Sequence, residues 1–281
     1  MFHWARVSLF VVFGLTVIFQ SSTLYGEDPF HPGDDGKYTY KKITRGLDGR
    51  GYSSAVIYLP DVTKDVKHPA VVLSGGLFNR KEDVRWISER LASHGFIVLA
   101  FTPTSIFGNN DTFRKGHLQG LATLSKENAD FRSPIFNLID EDRLGLVGYS
   151  MGGGGAYLAS EEIGTVRATV LLAPYLDKIR SAKSDTSSLI IVGANDTTAS
   201  ARSHGYPLYT KLLRDDRAYF EFKSLSHLSY INSGSNSSHK KISTYMVAWL
   251  KSRLMEMDQY DEWIRPYGAQ VQGDLFKRRL F

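Results

Sequence analysis

An α/β fold built on a mostly parallel sheet is predicted by three observations. Short apolar, β-branched runs recur along the chain, amphipathic helical patterns lie between them, and one run passes through a glycine-rich turn into an apolar helix. The strand candidates are residues 54–59, 70–73, 97–101, 143–147, 168–172, 189–192 and 219–222. Val84, Ile87 and Leu91 recur at i, i+3, i+7, and Ile242, Tyr245, Met246 and Trp249 at i, i+3, i+4, i+7. Each set makes one apolar helix face. In such folds functional groups gather at the carboxyl ends of the strands. No internal repeat is present.

The 281 residues, 42% hydrophobic and 22% charged, suffice for one sizeable core and hence one catalytic-size domain, taken as 38–281. Ahead of it, Pro29, Pro32, Gly33 and Gly36 mark a polar lead-in over 27–37. Residues 1–26 have Arg6, an apolar run over 7–19 and then Gln20-Ser21-Ser22-Thr23, the layout of a secretory signal peptide. That run is shorter than the roughly 20 residues a membrane-crossing helix needs, so no stable membrane anchoring is expected and the mature protein is placed outside the cell or in the periplasm. With no cysteine in the chain, disulfides, thiol chemistry and cysteine-ligated metal are excluded. The net charge of +5 falls to +4 when Arg6 leaves. The basic residues are scattered apart from Lys277-Arg278-Arg279, so nucleic acid is not an expected partner. A monomer is favoured.

The glycine-rich turn is Gly148-Tyr149-Ser150-Met151-Gly152, after Leu144-Gly145-Leu146-Val147 and before Gly153, Gly154 and Ala156. It has the layout of a nucleophile elbow, in which a strand turns sharply into a helix and lifts a serine hydroxyl above the sheet. The five-residue pattern alone would arise by chance in roughly one chain in five of this composition, so the flanking strand and helix carry the weight. A glycine-rich helix start that merely packs closely, or that cradles a phosphate, is the competing reading.

A serine hydroxyl needs an imidazole to take its proton and a carboxylate to orient that imidazole. Downstream, Leu189-Ile190-Ile191-Val192 leads to Gly193-Ala194-Asn195-Asp196, which places Asp196 at the carboxyl end of a strand. Tyr219-Phe220-Glu221-Phe222 runs into Leu225-Ser226-His227, which places His227 in the loop before the helix starting near Lys240. Ser150, Asp196 and His227 are therefore the catalytic candidates. Asp177, after the preceding strand, is the alternative acid, and Asp215 and Asp216 read as solvated residues of a helix end. His94 reads as a helix cap, and His117 and His204 as residues of helical patterns. Two N–H donors are required for a tetrahedral oxyanion. Met151 supplies one, and Ser74-Gly75-Gly76-Leu77-Phe78 the other, with Leu77 first and Phe78 in reserve. Gly75-Gly76 can also be no more than a tight turn. Only residues 173–188 separate two strands at the place where many lipases insert a helical lid, so an uncovered site suited to bulky esters is expected.

These residues resemble the bacterial cutinases and poly(ethylene terephthalate) hydrolases, a branch of the α/β-hydrolases near the dienelactone hydrolases. The likeness spans about residues 70–249. It rests on Arg90-Leu91-Ala92-Ser93-His94-Gly95-Phe96, Ser133-Pro134-Ile135-Phe136, Gly148-Tyr149-Ser150-Met151-Gly152-Gly153-Gly154-Gly155, Ala173-Pro174-Tyr175, Asn195-Asp196, Ser226-His227 and Val247-Ala248-Trp249. The resemblance implies an α/β-hydrolase fold without a lid domain and a serine carboxylester hydrolase acting through an acyl-enzyme on ester or polyester substrates, with no cofactor and no metal. It makes Ser150, Asp196 and His227 the triad, Leu77 and Met151 the oxyanion donors, and Tyr149 and Tyr175 the aromatic walls of an open groove, with Phe78 a further substrate-binding candidate. The family usually has Gly-aromatic-Thr where this chain has Gly76-Leu77-Phe78, and often Trp where Tyr175 stands. Its disulfide near the C-terminus is absent. A general short-acyl esterase or lipase, and a hydrolase-fold binding protein without activity, are the alternatives.

Overall fold

Alternation within each apolar run decides which face of the sheet a side chain enters. Ala70 and Val72 point to one side and Val71 and Leu73 to the other, and all four are fully buried because helices cover both faces. A computed structural model of the chain describes residues 30–213 and 216–264 and the backbone of 275–280. The proposed signal segment 1–26 and Asp215 lie outside the described residues.

The strands are β1 (Tyr40–Ile43), β2 (Tyr52–Pro60), β3 (His68–Ser74), β4 (Ile97–Pro103), β5 (Ile139–Tyr149), β6 (Val166–Leu172), β7 (Ser187–Gly193), β8 (Arg217–Phe222) and β9 (Leu275–Leu280). They form one sheet in the order β1-β2-β4-β3-β5-β6-β7-β8-β9. From β4 to β8 all pairings are parallel, while β1, β2 and β9 join antiparallel at the edges. The helices are α1 (Arg85–Ser93), α2 (Asn110–Ala129), α3 (Met151–Ser160), α4 (Tyr206–Tyr209), α5 (Asn236–Leu254) and α6 (Asp261–Ile264). One apolar layer joins α1 and α5 to the sheet through Ile87, Leu91, Ile242, Tyr245, Met246 and Trp249. The other lies under α2, α3 and α4, with Phe101, Leu121, Leu146 and Leu208. This is the α/β-hydrolase arrangement.

Every predicted strand is present, mostly longer than its apolar run. The charged cluster Asp140-Glu141-Asp142-Arg143 lies inside β5, which extends the apolar run 143–147 at its N-terminal end. The two strands without a prediction, β1 and β9, are edge strands whose sequences carry lysines or arginines, which is how exposed sheet edges are protected from further pairing. Asp216 is not a solvated helix end. It precedes β8, takes a hydrogen bond from Ser187 Oγ at 2.8 Å and pairs with Arg253 of α5, whose Nη2 lies 2.6 Å from its Oδ1. The described residues of the lead-in and Tyr38 after it are fastened as well: Tyr38 N–H donates to Ser93 O at 3.0 Å, Arg90 to Gly33 O, and Lys240 Nζ pairs with Asp34 at 2.7 Å. His94 stands at the C-cap of α1. Among the described residues no helix is long and apolar enough to cross a membrane.

Candidate active site

Strand β5 ends in Tyr149, and the chain then turns through Ser150 at φ 55°, ψ −120°, a left-handed conformation that a non-glycine residue adopts only under constraint. The constraints are backbone hydrogen bonds. Ser150 N–H donates to Leu172 O at 2.9 Å, while Ser150 O accepts from Tyr175 N–H at 2.9 Å and Gly154 N–H at 3.1 Å. Glycine at 148 is obligatory because a Cβ there would overlap the Gly152 carbonyl across the turn.

The turn aims the hydroxyl at His227. Ser150 Oγ lies 3.0 Å from His227 Nε2, and His227 Nδ1 lies 2.7 Å from Asp196 Oδ2. The second carboxylate oxygen, Oδ1, accepts the N–H groups of Thr198 at 2.9 Å and Ala199 at 2.8 Å. The carboxylate side chain is wholly buried and the imidazole is 17% exposed. Nδ1 faces a carboxylate fixed by two amides and Nε2 faces the serine, the orientation in which an imidazole can take the hydroxyl proton at Nε2. Asp177, the alternative acid, is exposed after β6, and its amide donates to Asn110 Oδ1 at 3.0 Å. The carboxylate on His227 belongs to Asp196.

The loop after β3 passes directly over the serine: a Cβ on Gly76 would lie 2.6 Å from Ser150 Cβ. Phe78 N–H donates to Ile106 O at 2.7 Å and Gly76 N–H to Asn79 Oδ1 at 3.1 Å. Phe78 is therefore excluded as reserve oxyanion donor, its hydrogen already being engaged, and Leu77 N–H lies between the two. Met151 N–H is the first of α3, one of the donors a helix start leaves without an intrahelical partner. Among the described residues no group of three or more His, Asp or Glu converges in a way that could hold a metal ion.

Residues 34–279 match the family model described as PETase, PET hydrolase-like. The chain belongs to this family. It is 32% identical to a bis(hydroxyethyl) terephthalate hydrolase of Streptomyces coelicolor, over 77% of this chain and 67% of that protein. It is 31% identical to cutinase est1 of Thermobifida alba, over 78% of this chain and 71% of the relative, and 30% identical to a cutinase of Thermobifida fusca, over 78% and 70%.

In this PET hydrolase-like chain Tyr149 is not a groove wall. It is 3% exposed, its ring tilts against His227 with centroids 5.1 Å apart, and its hydroxyl donates to His227 O at 2.8 Å. Burial, and secondarily the Asp196 charge, raise its pKa, so it stays a neutral donor. Tyr175 is half-buried against His204, centroids 4.3 Å apart, and so remains available at the rim. His204 sits on a π-helical turn, and its pKa is lowered mainly by burial.

Three supporting residues escaped sequence reasoning. Asn110, first residue of α2, donates from Nδ2 to Met151 O at 3.2 Å and Tyr175 O at 2.9 Å, joining the elbow to the loop after β6. His117, buried in α2, lies under the elbow with Nε2 3.0 Å from Ser74 Oγ and 3.3 Å from Gly152 O. Asn232 staples the loop carrying His227 to the turn that follows residues 74–79. Its Nδ2 donates to Glu82 O at 2.6 Å, its Oδ1 accepts Trp86 N–H at 3.3 Å, and its own amide donates to Asp83 O at 2.8 Å. A polar residue in a helix or loop has no sequence signal for such a role. Only the positions of the groups it reaches define it.

Proposed function

We propose that this chain is an exported serine carboxylester hydrolase of the cutinase and polyester-hydrolase kind. The observation that carries the reading is the continuous relay Asp196 Oδ2, His227 Nδ1, His227 Nε2, Ser150 Oγ, at 2.7 and 3.0 Å. Ser150 Oγ attacks the ester carbonyl carbon while Nε2 takes its proton. The carbonyl oxygen, now an anion, is held by Leu77 and Met151 N–H. Collapse breaks the bond to the alkoxy oxygen, which leaves as alcohol with the proton from His227. Water then attacks the acyl-enzyme with His227 again as base, and the carboxylic acid departs from a restored serine. Relatives named for cutin and terephthalate ester hydrolysis support neutral esters and polyesters as the substrate class. Between β6 and β7 the described chain has no helix that could serve as a lid, which supports an open site over a lipase activated at interfaces. The apolar run at 7–19 supports export.

The test is Ser150→Ala. It abolishes p-nitrophenyl ester turnover and covalent labelling by a fluorophosphonate, and turnover retained by the variant refutes the assignment. Rate measured across the solubility limit of a long-chain triglyceride separates the lipase reading, which requires a jump at the interface.

A further inference from the structure

His227 belongs to the segment 223–235 between β8 and α5, whose one regular piece is the 3-10 turn His227–Tyr230 of 4 residues. A turn of this kind holds itself together poorly, because its i to i+3 bonds are badly aligned and few. Within it Ser229 N–H donates to Ser226 O at 3.1 Å, and Ser229 Oγ accepts Ser226 N–H at 2.9 Å. A side chain that must meet Ser150 Oγ to within a fraction of an ångström needs support from outside such a turn.

Two helices supply it at adjacent carbonyls. Trp86 of α1 donates from Nε1 to Tyr230 O at 2.9 Å, and His239 of α5 faces Ile231 O with Nε2 at 2.9 Å. A carbonyl only accepts, so Nε2 of His239 carries a proton. The two rings lie on each other, with centroids 4.0 Å apart and planes 11° from parallel. Gly234, whose N–H also reaches Ile231 O at 2.9 Å, leaves room for the imidazole: a Cβ there would lie 2.7 Å from His239 Nε2. Both rings are half-buried, where water could satisfy their N–H groups, so burial alone does not oblige them to turn toward the loop. The buried indole of Trp249, by contrast, has no hydrogen-bond partner for its Nε1 among the described residues. Tyr230 itself is fully buried, with its ring stacked on Tyr149 at 5.5 Å and its hydroxyl donating to Ile191 O at 3.3 Å.

We propose that the stacked pair Trp86 and His239 is a single clamp that sets the approach of His227 Nε2 to Ser150 Oγ. The inference rests on the reading of Ser150 and His227 as nucleophile and base. The buried ring of Tyr230 fixes the depth of the turn. Its rotation about that ring, which swings His227 toward or away from the serine, is fixed by the clamp on the carbonyls of residues 230 and 231. Trp86 and His239 are positioning residues, acting through the main chain of the loop.

The test is steady-state hydrolysis of p-nitrophenyl butyrate, with each variant of the mature enzyme assayed at a temperature where circular dichroism shows it fully folded. Trp86→Phe keeps a stacking ring and loses the N–H. His239→Ala loses ring and donor, and His239→Gln returns an N–H at similar reach. Trp86→Phe and His239→Ala each lower kcat about tenfold with KM within about twofold, since a misplacement of about 1 Å costs up to about 10²-fold. His239→Gln recovers kcat to within about threefold of wild type, because the carbonyl regains its donor. The double variant Trp86→Phe, His239→Ala loses less than the product of the two single falls, as residues acting in one unit do. The clamp is overturned by kcat within about twofold of wild type in either single variant, or by a rise in KM with kcat preserved. It is equally overturned by a loss in His239→Ala that glutamine does not recover, or by single falls that simply multiply. Each of these leaves Ser150 as nucleophile untouched, whereas turnover by Ser150→Ala removes the underlying reading itself.

Discussion

Replacing His117 by Gln should flatten the acid side of the stability profile by a calculable amount. His117 is fully buried beneath the elbow, and burial, only partly offset by the Gly152 carbonyl, pushes its pKa down to about 3. Its Nδ1 has no hydrogen-bond partner among the described residues, so a second proton there would be buried without an acceptor. The unfolded chain binds that proton near pH 6.5 and the folded chain does not. The stability contributed is therefore complete above about pH 6.5 and is lost progressively as pH falls from there toward 3. Each unit in that interval costs about 1.4 kcal/mol. Between pH 7.5 and pH 5 the loss is about 2 kcal/mol, because the unfolded state is already partly protonated at the upper end. Glutamine keeps an N–H for the Gly152 carbonyl but cannot titrate. His68, His204 and His239 are also held below their ordinary pKa by burial, and they contribute equally in both proteins. Urea unfolding at the two pH values, for wild type and His117→Gln, measures the difference. The variant should lose about 2 kcal/mol less than wild type on acidification, and parallel losses would refute a buried, neutral His117.

Asp196→Asn keeps the shape of the relay but leaves His227 Nδ1–H without its charged acceptor. A fall of about 10⁴ in kcat is expected, and a rate within tenfold of wild type in steady-state ester hydrolysis would contradict the orienting role. Asn232→Ala removes two side-chain hydrogen bonds between the His227 loop and residues 82–86, worth roughly 1–3 kcal/mol together. Because Asn232 is a positioning residue and touches no reacting atom, kcat should fall while KM stays within about twofold. A rise in KM with kcat preserved would assign it to the groove instead.

The serine turn and the order of the two residues that hydrogen-bond in line with it were legible because both are local patterns. A buried strand, a run of glycines and an apolar helix together mark an elbow wherever they occur, and the carboxyl end of a strand is recognisable from the run that precedes it. The same logic located α1 and α5 from a 3.6-residue period in Val84, Ile87, Leu91 and in Ile242, Tyr245, Met246, Trp249. It failed at β1 and β9, since an edge strand buries too little to impose alternation and its charges hide it. Tyr149 was misplaced by the family resemblance and not by this logic. The family likeness fits that position to a wall, but here its hydroxyl has a carbonyl to reach, and the ring is drawn beneath His227.

The sequence by itself determined the α/β class, the succession of parallel strands and three side chains able to form a relay, for these depend on periodicity and turn chemistry within a few residues. The tertiary structure decided that Asp196 and not Asp177 meets the imidazole, that Phe78 N–H is spent on Ile106, and that Asn110, His117 and Asn232 brace the site. Those outcomes turn on ångström-scale separations between residues tens of positions apart. Sheet register and helix packing set such separations, and neither is written in any single stretch of chain.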